Sequence, residues 1–293
     1  MKKLSIFSVK TDCGASKHGA DFGADAIKNN GLQQAIQNGD FSAEEIVITS
    51  QPNDYSEFNL NNCGMVVDVN RRLYYAVKSA VVGGSFPLTL GGDHSIAAGS
   101  VAAVSATHKN IGVVWIDAHG DWNDNHSTET GNMHGMSFSA ACGHGPDCMA
   151  RFDDDFSPVN PHKCVLIGAR DLDKQEAVRI RNAGVTVFTA DDVRALGVQA
   201  VVQNALDVVL NGTCGFHLSF DVDCVDPSEA PGTGTLAKNG LTASQAKQLV
   251  VGLAQSGKML SLDVVEVNPL LDVDNKTSVF AAQIAEQLLK FVK

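Results

Sequence analysis

Short apolar and β-branched runs alternate along this sequence with longer segments whose apolar residues recur every three or four positions. Short continuous or period-two apolar runs predict strands, whereas the three- and four-residue spacing predicts helices. Regular alternation of the two is typical of β–α–β units around a parallel sheet. With no linker, repeat or low-complexity segment in the sequence, we predict one α/β domain over residues 1–293. The predicted strands are residues 4–9, 45–49, 86–90, 111–117, 163–168, 185–188, 216–223 and 259–267.

Three helices are predicted by their apolar spacing. Residues 242–255 begin with Thr242 and Gln245, the pattern of a capping box. Residues 62–82 present one apolar face, made of Val66, Val69, Leu73, Val77 and Ala80. The last helix repeats Phe280, Ile284, Leu288 and Phe291. We expect these apolar faces to pack against the sheet.

Carboxylates and imidazoles follow the predicted strands in two clusters of alternating residues. The first cluster contains Asp117, His119 and Asp121, and the second contains Asp221 and Asp223. In an extended backbone, residues two positions apart point to the same face. Each cluster is therefore expected to present its side chains together at the end of its strand.

A third cluster, residues 90–95, carries His94 after a pair of glycines at the end of another predicted strand. Open α/β sheets hold their ligands at the carboxyl ends of strands, where all three clusters lie. Converging carboxylates repel one another unless a cation lies between them, so we predict a metal site. Mixed nitrogen and oxygen ligands favour manganese, iron or zinc over calcium. The number of carboxylates favours two bridged ions, about 3.5–4 Å apart, over one tetrahedral ion.

Composition and charge exclude some function classes. The 293 residues include 33 Asp and Glu against 22 Lys and Arg, a formal net charge of −11. This acidic excess argues against binding to nucleic acid or anionic membranes, which requires clustered cations. The longest charge-free apolar stretch, residues 80–92, contains Pro87 and four glycines and does not suit a membrane span. Seven cysteines without a C-x-x-C pair indicate reduced thiols, and we predict a cytoplasmic protein.

Several ordered motifs resemble the signatures of the arginase–agmatinase, or ureohydrolase, superfamily. The resemblance runs from about residue 80 to the C-terminus and is carried by residues 91–95 (GGDHS), 117–123 (DAHGDWN), 219–223 (SFDVD) and 266–269 (EVNP). Within the superfamily the chain looks most like bacterial arginases. That closer similarity lies in residues 130–135 (TGNMHG), 170–176 (RDLDKQE) and 230–235 (APGTGT).

The resemblance implies a three-layer arginase-like fold, in which helices flank an eight-stranded, mostly parallel sheet. It also implies two Mn²⁺ per subunit, hydrolysis of L-arginine to L-ornithine and urea, and a homotrimer or homohexamer. By matching positions, one ion would be held by His94, Asp117, Asp121 and Asp221. The other would be held by His119, Asp117, Asp221 and Asp223, with Asp117 and Asp221 bridging.

The same resemblance suggests roles in catalysis, in which metal-bound hydroxide attacks the guanidinium carbon. Asp121 would carry a proton to the leaving amine, His134 would act as shuttle or general base, and Glu266 would anchor the guanidinium. Neutral hydrogen-bond donors would bind the α-carboxylate of arginine. One acid, supported by a second acid behind it, would bind the α-ammonium. These substrate-binding residues are Asn123, Thr130 and Asn132 for the carboxylate, Asp173 and Glu176 for the ammonium, and Thr235.

Three positions depart from the usual family pattern. Thr130 replaces a serine, Gly120 stands where many members have threonine, and residues 236–240 form an unusual loop. His217 is interpreted as a core histidine, while the role of His126 stays open. The alternative functions are another ureohydrolase, such as an agmatinase or guanidinobutyrase, and a non-catalytic arginase-like protein. A metal-dependent deacetylase is disfavoured because it would leave residues 130–135 and 266–269 without a purpose.

Overall fold

The computed structural model describes residues 1–292 and contains one eight-stranded sheet. All seven strand pairings are parallel, and the strand order is β2-β1-β3-β8-β7-β4-β5-β6. The strands are β1 (Lys2–Lys10), β2 (Phe41–Thr49), β3 (Phe86–Leu90), β4 (Gly112–Ile116), β5 (Cys164–Ala169), β6 (Thr186–Thr189), β7 (Phe216–Asp221) and β8 (Met259–Val265). The predicted α/β class and the eight strands are confirmed.

Helices cover both faces of this sheet and give three layers. One face is covered by α1 (Gly23–Ile27), α2 (Gln33–Asn38), α7 (Ala190–Leu196), α8 (Val198–Val209), α9 (Ala243–Ala254) and α10 (Lys276–Leu289). The other face carries α3 (Cys63–Val82), α4 (Ala97–His108), α5 (Ser137–Ala141) and α6 (Lys174–Ala183). Each face has its own hydrophobic core, because a parallel sheet buries both of its sides.

The alternation of side chains along each strand divides its residues between the two cores. In β4, Val114 and Ile116 belong to one core, whereas Val113 and Trp115 belong to the other. Every residue of β4, β5 and β7 is buried. This double burial explains why the central strands read as continuous apolar runs rather than as alternating patterns.

Three strand ends differ from the sequence-based boundaries in a way that matters for the site. The strands β4, β7 and β8 end at Ile116, Asp221 and Val265, before the polar residues that were predicted to extend them. A 3₁₀ turn follows β7 directly, and irregular backbone follows β4 and β8. By contrast, the capping box of α9 is present, with Thr242 accepting from the backbone N–H of Gln245.

Within residues 1–292, no helix combines the length and apolar character needed to cross a bilayer. The longest helix, α3, has 20 residues and one buried apolar face that packs on α4. The protein's helices are thus layers over the sheet rather than candidate membrane spans.

Truncating a central strand side chain is expected to weaken the fold strongly. Leu218 is fully buried in β7 between Val114 and Leu262 of the neighbouring strands. Leu218→Ala should lower the free energy of unfolding by about 2–5 kcal/mol, because a cavity replaces buried methyl groups. Urea denaturation of the purified variant measures this change.

The matched control is Leu196→Ala, since the Leu196 side chain is 53% exposed at the end of α7. Its free energy of unfolding should change by no more than about 0.5 kcal/mol. Equal losses in the two variants would contradict the assignment of β7 to the sheet interior.

Candidate metal centre and substrate cavity

The glycine pair after β3 turns the chain so that His94 points across the sheet. Gly91 and Gly92 have φ values of 72° and 80°, a left-handed conformation that favours glycine. A Cβ at Gly91 would also lie 2.4 Å from the backbone nitrogen of Ala24. The next residue, Asp93, accepts from the N–H of Ser95 at 2.9 Å and caps the 3₁₀ turn that begins with His94.

The His94 ring lies at the centre of the cluster and is buried. Its Nδ1 lies 3.0 Å from an oxygen of Asp117 and 3.1 Å from oxygens of Asp121 and Asp221. Its Nε2 lies 2.8 Å from the hydroxyl of Ser219 on β7. The hydroxyl therefore fixes the ring so that Nδ1 faces the three carboxylates, the arrangement expected of a metal-binding imidazole.

The first polar cluster converges, but not through the extended backbone that its alternation suggested. The chain turns after β4, and Asp121 has a left-handed φ of 48°. The turn places Nδ1 of His119 at 2.9 Å from Asp223 and 3.4 Å from Asp117. The expectation of a common face was therefore wrong in its geometry, although the side chains do meet.

The second cluster is also a turn rather than a strand extension. Asp221 is the last residue of β7, and its carboxylate accepts from the N–H of Asp223 at 2.8 Å. Asp223 lies within the 3₁₀ turn Val222–Cys224 and accepts from the N–H of Ala118 at 3.1 Å. Because each carboxylate accepts a hydrogen bond from a neighbouring backbone N–H group, both are held in the same cluster.

Burial and mutual repulsion make the carboxylates difficult to ionise together. Burial, the largest influence, raises the pKa of Asp121, Asp221 and Asp223, and neighbouring carboxylates raise it further. The pKa of Asp223 reaches about 6, with the charge of Asp117 as the second cause. Burial also acts to raise the pKa of Asp117, but the two neighbouring histidines, His119 foremost, hold it well below its usual range. A bound cation would relieve this repulsion.

The donor atoms fall into two groups that fit metal ions. The ligand atoms of His94, Asp117 and Asp221 lie within 4.8 Å of one another, and so do those of Asp117, His119 and Asp223. Nδ1 of His94 is buried and has no hydrogen-bond partner within the described chain, despite its carboxylate neighbours. The two groups share Asp117, as the predicted bridging role requires, while the full ligand assignment stays a prediction.

A cavity of about 300 Å³ opens directly above these groups, within the size range of small-ligand sites. Five of the six predicted metal ligands line it; the exception is Asp117. All of the predicted substrate residues also line it: Asn123, Thr130, Asn132, His134, Asp173, Glu176, Thr235 and Glu266. The structure thus brings into one cavity predicted site residues that are up to 172 positions apart in the sequence, from His94 to Glu266.

One end of the cavity presents hydrogen-bond donors. Asn123 donates one amide hydrogen to Asp173 at 3.0 Å, which leaves its second hydrogen free. The Thr130 hydroxyl oxygen accepts from the N–H of Asn132, so its own hydrogen remains available. These groups suit a carboxylate ligand, because ionised carboxylates accept hydrogen bonds and donate none.

Glu176 holds the backbone at this end of the cavity through hydrogen bonds. Its two oxygens accept from the backbone N–H groups of Trp122 and Asp173, at 2.8 and 3.2 Å. Burial raises its pKa to about 8, although these hydrogen bonds oppose the increase. A Cβ at Gly120 would lie 2.6 Å from the Glu176 carboxyl carbon, so the glycine at this unusual position makes room for the acid.

Glu266 and His134 form an ion pair over the cluster. Glu266 follows β8 with a left-handed φ of 63°, and its Oε1 accepts from the N–H of His94 at 2.7 Å. The same oxygen lies 3.2 Å from Nδ1 of His134. Burial disfavours protonation of His134, but the hydrogen bond and charge of Glu266 outweigh it and raise the pKa to about 9.

Several cavity residues were not recognised in the sequence. Ser16, Thr128 and Asp171 also line the cavity. Asp171 lies in a segment that the family resemblance marked, whereas no sequence signal identified Ser16. His217 lies apart from the cavity in the buried sheet, with Nδ1 at 2.7 Å from the Ser261 hydroxyl, which agrees with its interpretation as a core histidine.

The close contact at Gly120 predicts a stability loss. In Gly120→Ala, the added methyl group would overlap the Glu176 carboxyl and the Ile180 side chain, with 2.8 Å to the latter. The free energy of unfolding should fall by about 1–3 kcal/mol, because a packed interior does not accommodate an extra carbon. Urea denaturation of the metal-free protein measures it.

The matched control is Gly135→Ala, since a Cβ at Gly135 meets no atom within 4 Å and φ is −76°. Its stability should stay the same or rise slightly, because alanine restricts the unfolded chain. An unchanged stability in Gly120→Ala would contradict the tight packing of Glu176 on this turn.

Comparison with known proteins agrees with the geometry. The sequence profile of the Arginase family matches residues 2–290. Arginases of Bacillus caldovelox and Staphylococcus aureus (strain MRSA252) are 36% and 37% identical to this chain, covering 98% and 94% of it and 98% and 93% of their own lengths. The solved B. caldovelox arginase superposes with a TM-score of 0.92 over 98% of each chain, and that of Bacillus cereus, 35% identical, with 0.91 over the same shares. The chain belongs to the arginase family.

Proposed function

We propose that this protein hydrolyses L-arginine to L-ornithine and urea with two Mn²⁺ ions per subunit. The observation that carries the proposal is the cavity, which joins the carboxylate–imidazole cluster to an array of hydrogen-bond donors and one acid. A guanidinium at the cluster and an amino acid group at the donor end would fill it. Named arginases among the similar proteins support the same reaction.

The metal ions would be held by the residues that the sequence suggested. His94, Asp121 and the bridging Asp117 and Asp221 would hold one ion, since all three acids have an oxygen within 3.1 Å of the His94 nitrogen. His119 and Asp223, whose ligand atoms lie together with those of Asp117, would complete the second site. Asp221 is proposed as its second bridging acid by the family resemblance. Two such ions lower the pKa of water enough to supply hydroxide near neutral pH.

The residues above the cluster would bind the guanidinium and move protons. Glu266 would pair its carboxylate with the planar guanidinium, beside the His134 ring that lies against it. His134 would shuttle protons or act as general base, because an imidazole can both accept and donate a proton. Asp121 would carry a proton to the leaving amine, a role supported by its position at the cluster and in the cavity lining.

The donor end of the cavity would select the amino acid group of arginine. Asn123, Thr130 and Asn132 would donate to the α-carboxylate, and Asp173 would pair with the α-ammonium. Agmatine lacks the carboxylate, so these free donors would lose their partner. This arrangement favours an arginase over an agmatinase.

By family resemblance we also propose a cytoplasmic homotrimer or homohexamer.

The proposed reaction predicts a clear order among substrates. With Mn²⁺ supplied, urea should be released from L-arginine with a kcat/KM at least about tenfold above that for agmatine or 4-guanidinobutyrate, because these lack a charged contact. A colorimetric urea assay measures all three. If the protein binds two ions per chain but releases no urea from L-arginine, the proposed reaction is wrong, whereas the proposed metal centre still stands.

Two substitutions should separate metal binding from proton transfer. Asp121→Ala should lose bound metal and rate together, because Asp121 is proposed as both ligand and proton carrier. His134→Ala should keep its metal and lose about 10²-fold or more in kcat. Metal analysis after dialysis, combined with the urea assay, distinguishes the two.

The control is His162→Ala, an exposed histidine near the start of β5. It should retain both metal and rate. Full activity in Asp121→Ala or in His134→Ala would contradict the role assigned to that residue.

A further inference from the structure

We propose that Asn61 is a specificity-determining residue, which acts by fixing the side-chain amide of Asn132 so that its NH₂ group faces the substrate. This inference rests on the proposed arginase function, since the NH₂ group would donate to the α-carboxylate of arginine. Asn61 precedes residue 80, from which the recognised family motifs run, and none of those motifs includes it.

The contacts of Asn61 span the loop that forms the donor end of the cavity. Its backbone N–H donates to the carbonyl of Gly131 at 2.9 Å. Its side-chain Nδ2 donates to the carbonyl of Thr130 at 2.9 Å and to Oδ1 of Asn132 at 3.1 Å. One residue therefore holds three consecutive residues of the proposed carboxylate-binding loop.

The contact with Asn132 decides which end of that amide is free. Because Oδ1 accepts from Asn61, the Nδ2 group of Asn132 occupies the opposite position, and Asn132 lines the cavity. An amide carries an acceptor at one end and two donors at the other, so rotating it by half a turn would exchange them. The rotated amide would present an oxygen to the substrate carboxylate, and the two would repel each other.

The backbone around the contact is built to keep the two loops close. A Cβ at Gly131, whose φ is 75°, would lie 3.1 Å from the carbonyl oxygen of Asn59 and 3.2 Å from Nδ2 of Asn61. Leu60, the neighbour of Asn61, is buried in the core beneath α3. The buried leucine anchors the segment while Asn61 itself stays exposed at the cavity rim. Substituting Asn61 should therefore disturb the loop contact more than the fold.

The test compares Asn61→Ala with Asn61→Asp. In Asn61→Ala the Asn132 amide is free to rotate into either orientation, so the KM for L-arginine should rise only about two- to fivefold. In Asn61→Asp the introduced carboxylate accepts from the Asn132 NH₂ group and holds the amide reversed. The KM should then rise by about tenfold or more, because a hydrogen bond to a charged group is lost.

Three further readouts separate this role from a general loss of structure. The kcat of both variants should stay within about twofold of the parent value, because the reacting guanidinium end is unchanged. Calorimetry should show the same weakening for L-ornithine, which keeps the α-carboxylate, but not for 1,4-diaminobutane, which lacks it. Repeating the assay at about 0.5 M salt screens the added exposed charge, and the larger effect of Asn61→Asp should persist.

The matched control is Asn110→Asp, which makes the same chemical change at an exposed asparagine whose Nδ2 donates to the carbonyl of Gly212. This residue precedes β4, at the end of the strand opposite the cavity. Its KM and kcat should equal those of the parent protein. A thermal melt of each variant verifies that the chain is folded.

The outcomes are decisive for both proposals. A larger KM in Asn61→Asp than in Asn61→Ala, with kcat retained, supports the role of Asn61. Equal KM values in the two variants, or equal weakening of L-ornithine and 1,4-diaminobutane, would overturn it while arginine hydrolysis by the parent protein still stands. A parent protein that releases no urea from L-arginine would overturn both inferences together.

Discussion

The rest of the structure depends on the burial of four carboxylates beside two imidazoles at the ends of central strands. In water such charges separate, but here the strands β3, β7 and β4 bring them within about 3 Å of the His94 and His119 nitrogens. Burial first, and then the acidic neighbours, raise the pKa of Asp221, because buried charges without partners are costly. The flanking layers hold the arrangement in place because both faces of the sheet are buried.

Left-handed and glycine-rich turns convert this parallel sheet into a site. The strands end before their polar residues, and Gly91, Asp121 and Glu266 then redirect the chain with positive φ values. Left-handed backbone at non-glycine residues such as Asp121 and Glu266 persists where the surrounding structure fixes it, and it is common at functional sites. The hydrogen bond from the His94 N–H to Glu266 links two of these turns. The fold thereby positions groups from distant segments above one cluster.

The cavity above the cluster is lined by polar residues, and these are arranged in order along it. The acids and imidazoles of the cluster lie at the inner end, whereas the free amide and hydroxyl hydrogens lie at the other end, beside Asp173 and Glu176. That order suits a ligand with a cation at one end and a carboxylate at the other. Asn61 contributes to this order from outside the cavity. Its hydrogen bond to Oδ1 of Asn132 sets which atoms of the Asn132 amide face into the cavity.

The sequence by itself determined the α/β class, the eight strands and the residues of the carboxylate–imidazole cluster, because strand periodicity and dense carboxylate motifs are local properties. It misjudged the backbone between Asp117 and Asp121, since alternation assumes extended chain and the real chain turns. Only the tertiary structure decided how Gly120 admits Glu176 and how Asn61 meets Asn132. Such contacts join segments 56 to 71 positions apart, and no local pattern encodes which side chains will meet there.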